Sequence, residues 1–231
     1  TALVGVLDPF WEYKGYVKSA EYRCFCSETV PLLRMAKCVW TNDETFEGQV
    51  QIAHFGPAPI QDAVVRWQVQ CTDERPMVSG QFPVQDILLG NDNRVGVIEL
   101  DLSQAQAPTK LVIAVDIEGT DYGNSWDVWV YPGRVDPPAA QNVRIVEHLD
   151  VNALRALREG RNVLLMPNPE NVASDVPAGF TTIFWNTQWT NGQPPHTLGI
   201  LCDPKHPALS SFPTEFHSNW QWQDLIRNSK A

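Results

Sequence analysis

Apolar and polar residues alternate with a period of two through the middle of the chain. In Gln49 to Phe55, Val50 and Ile52 alternate with Gln49 and Gln51; in Val64 to Cys71, Val65, Trp67 and Val69 alternate with Arg66, Gln68 and Gln70. Leu111, Ile113, Val115 and Ile117 form one continuous apolar face. Successive side chains of a strand point to opposite sides of a sheet, so these runs predict strands with one buried face. Gly56-Pro57, Gly90-Asn91 and Gly119-Thr120 fall between the runs and predict turns. No helical period occurs from Leu32 to Tyr131, and short strands spaced by turn residues predict an antiparallel sandwich of roughly a hundred residues. Trp67 then belongs to the sandwich core. Trp126 and Trp129, three apart on one strand, point to opposite faces, one into the core and one to a neighbouring surface.

The pattern differs on either side. Val4 to Leu7 are a short apolar run, Asp8-Pro9 breaks it, and Ser19 is placed to cap a short helix over about Ala20 to Cys26. Pro132-Gly133 and Pro137-Pro138-Ala139-Ala140 read as a linker, which cannot extend a sheet and predicts separate cores on its two sides. Beyond it, Val143 to Val146 reads as a strand and Asp150 as the cap of a helix running to about Glu159 with Leu154 and Leu157 on one face. Gly160 ends that helix, and Val163 to Met166 is an apolar strand. A strand-helix-strand unit prefers parallel strands joined by a right-handed crossover, so a small α/β domain is expected. Phe180 to Trp185 and Leu198 to Leu201 offer further strands, and Ser218 a cap for a last helix through Ile226.

Composition narrows the function classes. The 231 residues are 43% hydrophobic and 10% aromatic, ample for packed cores. A formal charge of -10, from 27 acidic and 17 basic residues, opposes a nucleic-acid backbone or an anionic membrane as partner. Cys24, Cys26, Cys38, Cys71 and Cys202 are odd in number, and no C-x-x-C pair occurs, so neither a disulfide framework nor a usual structural zinc site is implied. No apolar run reaches the roughly 18 residues that span a bilayer, and the N-terminus lacks a signal-peptide pattern. Thr1 opens directly into an apolar run, as the interior of a longer chain would.

The densest chemistry lies in Pro194 to Ile226, which holds three of the five His, one Cys and two of the nine Trp. His196, His206 and His217 could hold a metal only if folding gathered them with Cys202 or Glu215. Their spacings match no common ligand pattern, so hydrogen-bonded structural histidines are the expectation, with no metal and no cofactor. Trp220 and Trp222 are candidate carbohydrate-binding residues, because an indole face stacks on the apolar face of a sugar ring while Asn219 and Gln221 could satisfy its hydroxyls. The bland alternative is aromatic packing in a core or domain contact.

Four phrases then resemble a known family: TALVGVLDPFWEYKGYV, VPLLRMAKCVWTNDETFEGQVQIAHFG, NSWDVWVYP and HTLGILCDPKHPALSSFPTEFHSNWQWQDLI. They look like the C-terminal region of bacterial enzymes of glycoside hydrolase family 2, the β-galactosidase-like enzymes. The fold implied is multidomain, β plus α/β: residues 1–30 as the end of a catalytic (β/α)8 barrel, 31–135 as an immunoglobulin-like β-sandwich, and 136–231 as a small class I glutamine-amidotransferase-like α/β domain. The function implied is that of a non-catalytic accessory region of an enzyme hydrolysing glycosidic bonds in oligo- or polysaccharides; the alternative is a carbohydrate-binding module using exposed Trp. Retaining glycosidases need two carboxyl groups about 5 Å apart, and in this family both lie on the barrel, upstream of Thr1. No catalytic residue is therefore expected here; Asp8 and Glu12 would at most rim the barrel mouth. The amidotransferase resemblance arrives without its nucleophile, since Cys202 is followed by Asp203-Pro204 and lacks the flanking glycines of a strand-to-helix elbow. The partners implied are the catalytic barrel and N-terminal domains of the parent enzyme, with carbohydrate and a second copy of the chain as further candidates, and no nucleic acid or membrane. The resemblance implies a periplasmic or extracellular location.

Overall fold

The computed structural model describes residues 5–71, 76–136, 142–173, 179 and 200–230. The chain divides into two compact units, Thr1–Gly133 and Arg134–Ala231.

The first unit is mostly β. After a short helix α1 (Ser19–Arg23) come strands β1 (Thr29–Met35), β2 (Val39–Thr41), β3 (Thr45–His54), β4 (Ile60–Ala63), β5 (Val65–Cys71), β6 (Pro76–Gln81), β7 (Gln85–Ile87), β8 (Gly90–Asp101), β9 (Thr109–Ile117) and β10 (Gly123–Tyr131). One sheet has the order β1-β3-β8 and another β2-β10-β9-β5-β6, with a small β4-β7 pair beside them. Pairings are antiparallel except for β2 with β10. The alternation seen in sequence becomes the core. Val50 and Ile52 of β3 and Ile98 of β8 meet Val65, Val69, Leu111, Ile113, Val115 and Ile117 of the other sheet in one buried cluster. Each of these side chains is at most 1% exposed, and burying one contributes roughly 1.5 to 3 kcal/mol.

Two local devices shape the sandwich. The β3–β8 register shifts twice, near Val50 and near Ile52, and Asn93 bridges the irregularity. Its amide donates to the Ile52 carbonyl at 3.1 Å and the Leu88 carbonyl at 2.7 Å, and its oxygen accepts the Leu88 N–H at 2.8 Å. Gly90, at φ +133°, opens β8 opposite His54. The predicted Gly90-Asn91 turn is therefore the start of a strand, and the reversal falls just before it. His54 itself is buried: its Nδ1 pairs with the Thr29 hydroxyl at 2.7 Å and its Nε2 with the Ala58 carbonyl at 2.8 Å. Because the carbonyl can only accept, Nε2 carries the proton, and in the neutral ring Nδ1 is then the acceptor for the Thr29 hydroxyl.

Two expectations need correction here, on Trp67 and Ser19, while the opposite facing of Trp126 and Trp129 holds. Trp67 lies on the same face as Val65 and Val69 but is only half-buried, since β5 is next to the edge strand β6 and the indole lies over Gly80. A Cβ at Gly80 would sit 2.7 Å from the Trp67 ring. Ser19 does not cap α1. Lys18 is the N-cap, its N–H donating to the Glu21 carboxylate at 2.7 Å, and the helix ends at Arg23 instead of Cys26. Trp126 is partly buried against the core, whereas Trp129 is 1% exposed yet outside the core cluster, on the opposite side of β10.

The second unit contains β11 (Val143–Val146), α2 (Val151–Arg158), β12 (Asn162–Leu165) and α3 (Gln223–Arg227). β11 and β12 pair in parallel around α2. The Asp150 side chain accepts the Ala153 N–H at 2.6 Å as the cap, and Gly160 follows the helix at φ +76°. The buried face of α2, however, is Ala153 and Ala156; Leu154 and Leu157 are exposed. The strand expected over Val163 to Met166 runs from Asn162 to Leu165, and Leu164 and Leu165 are exposed. The last helix begins at Gln223, preceded by a 3-10 turn over Trp220–Trp222 whose cap is Asn219, not Ser218. The amidotransferase-like architecture rests on strands beyond this pair, and the candidates Phe180 to Trp185 and Leu198-Gly199 lie outside the described residues, as do residues 137–141 of the linker.

Candidate functional site

The polar-aromatic segment is closed at its base by a bridge between Leu201 and His217. Cys202 N–H donates to the Phe216 carbonyl at 2.9 Å, and Ser218 N–H to the Ile200 carbonyl at 2.8 Å. Inside this loop the side chains hold one another. Asn219 caps the Trp220–Trp222 turn by accepting the Gln221 N–H at 3.0 Å and donates to Glu215 Oε2 at 2.9 Å. Trp222 donates its indole N–H to the Thr214 hydroxyl at 2.9 Å and meets Phe212 edge to face, ring centres 4.8 Å apart. Gln221 is 5% exposed.

Of the four carbohydrate candidates, then, the fold brings all into one turn but points them differently. Gln221 is inside, Asn219 and Trp222 are half-buried in the loop's own contacts, and Trp220 turns its ring outward at 56% exposure. His206 accepts the Ala208 N–H through Nδ1 at 3.1 Å and caps a short turn at Pro207. His217 Nε2 lies 3.9 Å from Glu215. His196 is outside the described residues. Among the described residues no three His, Cys, Asp or Glu side chains gather as a metal would require. The Cys202 thiol donates to the Glu215 backbone carbonyl at 3.1 Å, a contact that offers no base to activate it.

A second surface was not picked out from the sequence. Leu7 bridges Tyr13, and between them Asp8 Oδ1 accepts the N–H groups of Phe10 and Glu12, both at 2.8 Å. That turn puts Trp11 at φ +66° and leaves Phe10 and Trp11 at 80% and 83% exposure on its tip. Below it, Val6, Leu7, Tyr13, Val17, Ala20 and Tyr22 line a mostly apolar groove of about 720 Å³. Tyr13, Tyr16 and Phe25 are exposed as well. The sequence signal for this tip is Asp-Pro followed by two aromatics, next to the Asp8 and Glu12 that the family resemblance sets at most on the rim of a barrel mouth.

The chain resembles known domains in two stretches. Residues 44–132 match a family described as a domain of unknown function, DUF8488, and residues 144–231 match another, DUF8487. No curated protein matches it. Among solved structures, the CARDB domain of a Pyrococcus furiosus protein in complex with di-metal ions shares 9% identity at a TM-score of 0.33, over 45% of this chain and 93% of that one. The Parabacteroides merdae β-glucuronidase shares 15% identity at 0.33, over 45% of this chain and 14% of that one. A Listeria innocua β-glucosidase in complex with glucose shares 15% at 0.33, over 47% and 16%. This chain thus spans a small part of those enzymes, and at such values the likeness fixes neither activity nor ligand. The two matched stretches fall on the two units: the first runs from the turn before β3 to the end of β10, the second from β11 through α3.

Proposed function

We propose that this chain is the non-catalytic C-terminal accessory region of a family 2 glycoside hydrolase, buttressing its catalytic barrel in a periplasmic or extracellular enzyme. In this reading residues 1–30 close the barrel, 31–135 are an immunoglobulin-like sandwich, and 136–231 are an amidotransferase-like α/β domain without its nucleophile. The observation that carries it is the exposure of Phe10, Trp11, Tyr13, Tyr16 and Phe25 around an apolar groove within some twenty residues of a chain whose sandwich is otherwise well packed. Such a cluster of exposed aromatics marks a surface that another body covers, and the resemblance of TALVGVLDPFWEYKGYV to the barrel's end names that body. The Asp8 carboxylate holds two backbone N–H groups of its own turn.

The reading is tested by the coding sequence immediately upstream of Thr1, which should encode a (β/α)8 barrel with two catalytic Glu. In that longer protein, Phe10→Ala with Trp11→Ala should lower the melting temperature of the whole. The chain alone should hydrolyse no aryl glycoside, and turnover abolished by changing one of its own carboxylates would overturn the reading. A carbohydrate-binding role is the second reading, favoured by the outward ring of Trp220. Titration with a glycan panel, followed by tryptophan fluorescence, should then give a response lost in Trp220→Ala.

A further inference from the structure

Residues 5–28 join the sandwich at one end, and two loops at that end carry bare apolar side chains. Thr29, where β1 starts, pairs with His54 at the end of β3, and His54 pairs with Gly90 at the start of β8. The Tyr122 hydroxyl, in the turn between β9 and β10, donates to the Glu28 carboxylate, and the Asn124 amide donates to the Pro31 carbonyl at 3.1 Å. The loop 55–59, the connection 88–89 and the turn 118–122 therefore all lie where the chain enters. Phe55, Leu88 and Leu89 stand on the first two of these, each more than half exposed. Phe55 follows His54 and Leu89 precedes its partner Gly90, so the side chains leave the sheet from adjoining positions.

Both loops are held in place. Phe55 N–H donates to the Glu28 carbonyl at 2.6 Å, and His54 Nε2 donates to the Ala58 carbonyl, which ties the loop at two points. Pro57 and Pro59 fix φ at two of its positions. Asn93 does the same for the second loop: its amide donates to the Leu88 carbonyl and, at 3.4 Å, to the Gly90 carbonyl, and its oxygen accepts the Leu88 N–H. A single exposed apolar side chain on a protein surface is ordinary, but three on adjoining, fixed loops mark a contact surface. Loops already held in their bound shape lose little entropy when they dock.

We propose that Phe55, Leu88 and Leu89 are a docking surface for an apolar face of the domain that precedes residues 5–28 in the same polypeptide. The course of the chain decides the occupant. Residues 5–28 leave the sandwich from this end, so a body continuous with them lies against these loops and not against the opposite end, where β1 runs out at Met35 beside Gly48. Because the connection at Glu28 is short, docking is intramolecular, and a small apolar surface suffices to hold the two bodies together. The inference rests on the reading that a catalytic domain comes before this chain. To the contact at Phe10 and Trp11 it adds a second one, made by the sandwich itself.

Hydroxyl-radical footprinting of this chain and of the longer protein, side by side, tests this. Phe55, Leu88 and Leu89 should be oxidised readily in this chain and at least about fivefold more slowly in the longer protein, as burial at the centre of an interface requires. Val97, exposed on β8 away from this end, should react alike in both. Leu88→Ser with Leu89→Ser alters only exposed side chains and keeps the Leu88 backbone bonds to Asn93. It should leave the melting temperature of this chain in place and lower that of the longer protein. Equal oxidation of the three side chains in both proteins would overturn the proposal. So would a double variant that destabilises both alike, since the leucines would then serve the packing of the sandwich alone. If the preceding domain is not a (β/α)8 barrel and the three side chains are still protected, the docking surface stands and the glycoside hydrolase reading falls. If a barrel precedes and they are oxidised as before, the reverse holds, and with no domain encoded upstream both fall.

Discussion

A buried histidine shows how one residue can tie two strands. Thr29 and His54 are register partners, both at most 2% exposed, and each ring nitrogen of His54 has one partner. Thr29→Val keeps the shape but leaves Nδ1 without its donor, and should cost about 1 to 3 kcal/mol in denaturant unfolding. Glu44 makes a contrasting surface case. The Lys37 ammonium at 2.6 Å and the Thr41 N–H at 2.8 Å hold its carboxyl below the usual glutamate range. A depressed carboxyl gives stability that is full above its unfolded value and is lost as pH falls through the folded one. The melting temperature should therefore drop in acid, with a smaller drop in Glu44→Gln. The indoles invite a direct comparison. Trp129 is sealed at 1% exposure while Trp67 is half-buried over Gly80. Trp129→Ala should cost about 3 to 5 kcal/mol, and Trp67→Ala clearly less; equal losses in chemical denaturation would mean that Trp67 is sealed too.

At the scale of elements, what was legible in the sequence is what local chemistry determines. The odd-numbered face of β9 is buried as alternation requires, and Asp150 and Gly160 bracket α2 because a carboxylate can hold a free N–H and glycine tolerates positive φ. Misread features depended on neighbours. Leu154 and Leu157 look like a core stripe by hydrophobicity, yet Ala153 and Ala156 are the buried residues of the helix. Ala153→Leu should therefore overpack that face and cost about 1 to 3 kcal/mol, whereas Leu154→Gln should cost well under 1 kcal/mol. In the same way Ser19 and Ser218 sit at helix starts as good caps do, but Lys18 and Asn219 take those positions, since the first turn is fixed by where the chain enters from the preceding segment. The candidate site was legible as a location and not as an orientation. One turn does hold Asn219, Trp220, Gln221 and Trp222, but which of them faces water depends on Phe212, Thr214 and Glu215, which lie earlier in the loop.

Among the described residues the two units differ in how much apolar surface they bury. In the first, β3, β5, β8 and β9 carry a continuous set of sealed aliphatic side chains between two sheets. In the second, the apolar residues sealed among those described are Ala153, Ala156 and Ile226, while Ile145, Leu164 and Leu165 on its strands are exposed. Buried apolar contact sets the free energy at which a segment opens, so the units should not open together. Native-state hydrogen exchange should find the slowest amides in β3, β5 and β9, at rates set by global unfolding, and exchange about a hundredfold faster or more in β11, α2 and β12. Adding moderate denaturant should bring the slow class toward the fast one, because opening the sandwich exposes far more surface than opening the strand-helix-strand unit. Equal protection in both classes would mean that the Leu154 and Leu157 stripe and the bare strand faces are covered in solution, and would move the boundary of the core into the second unit.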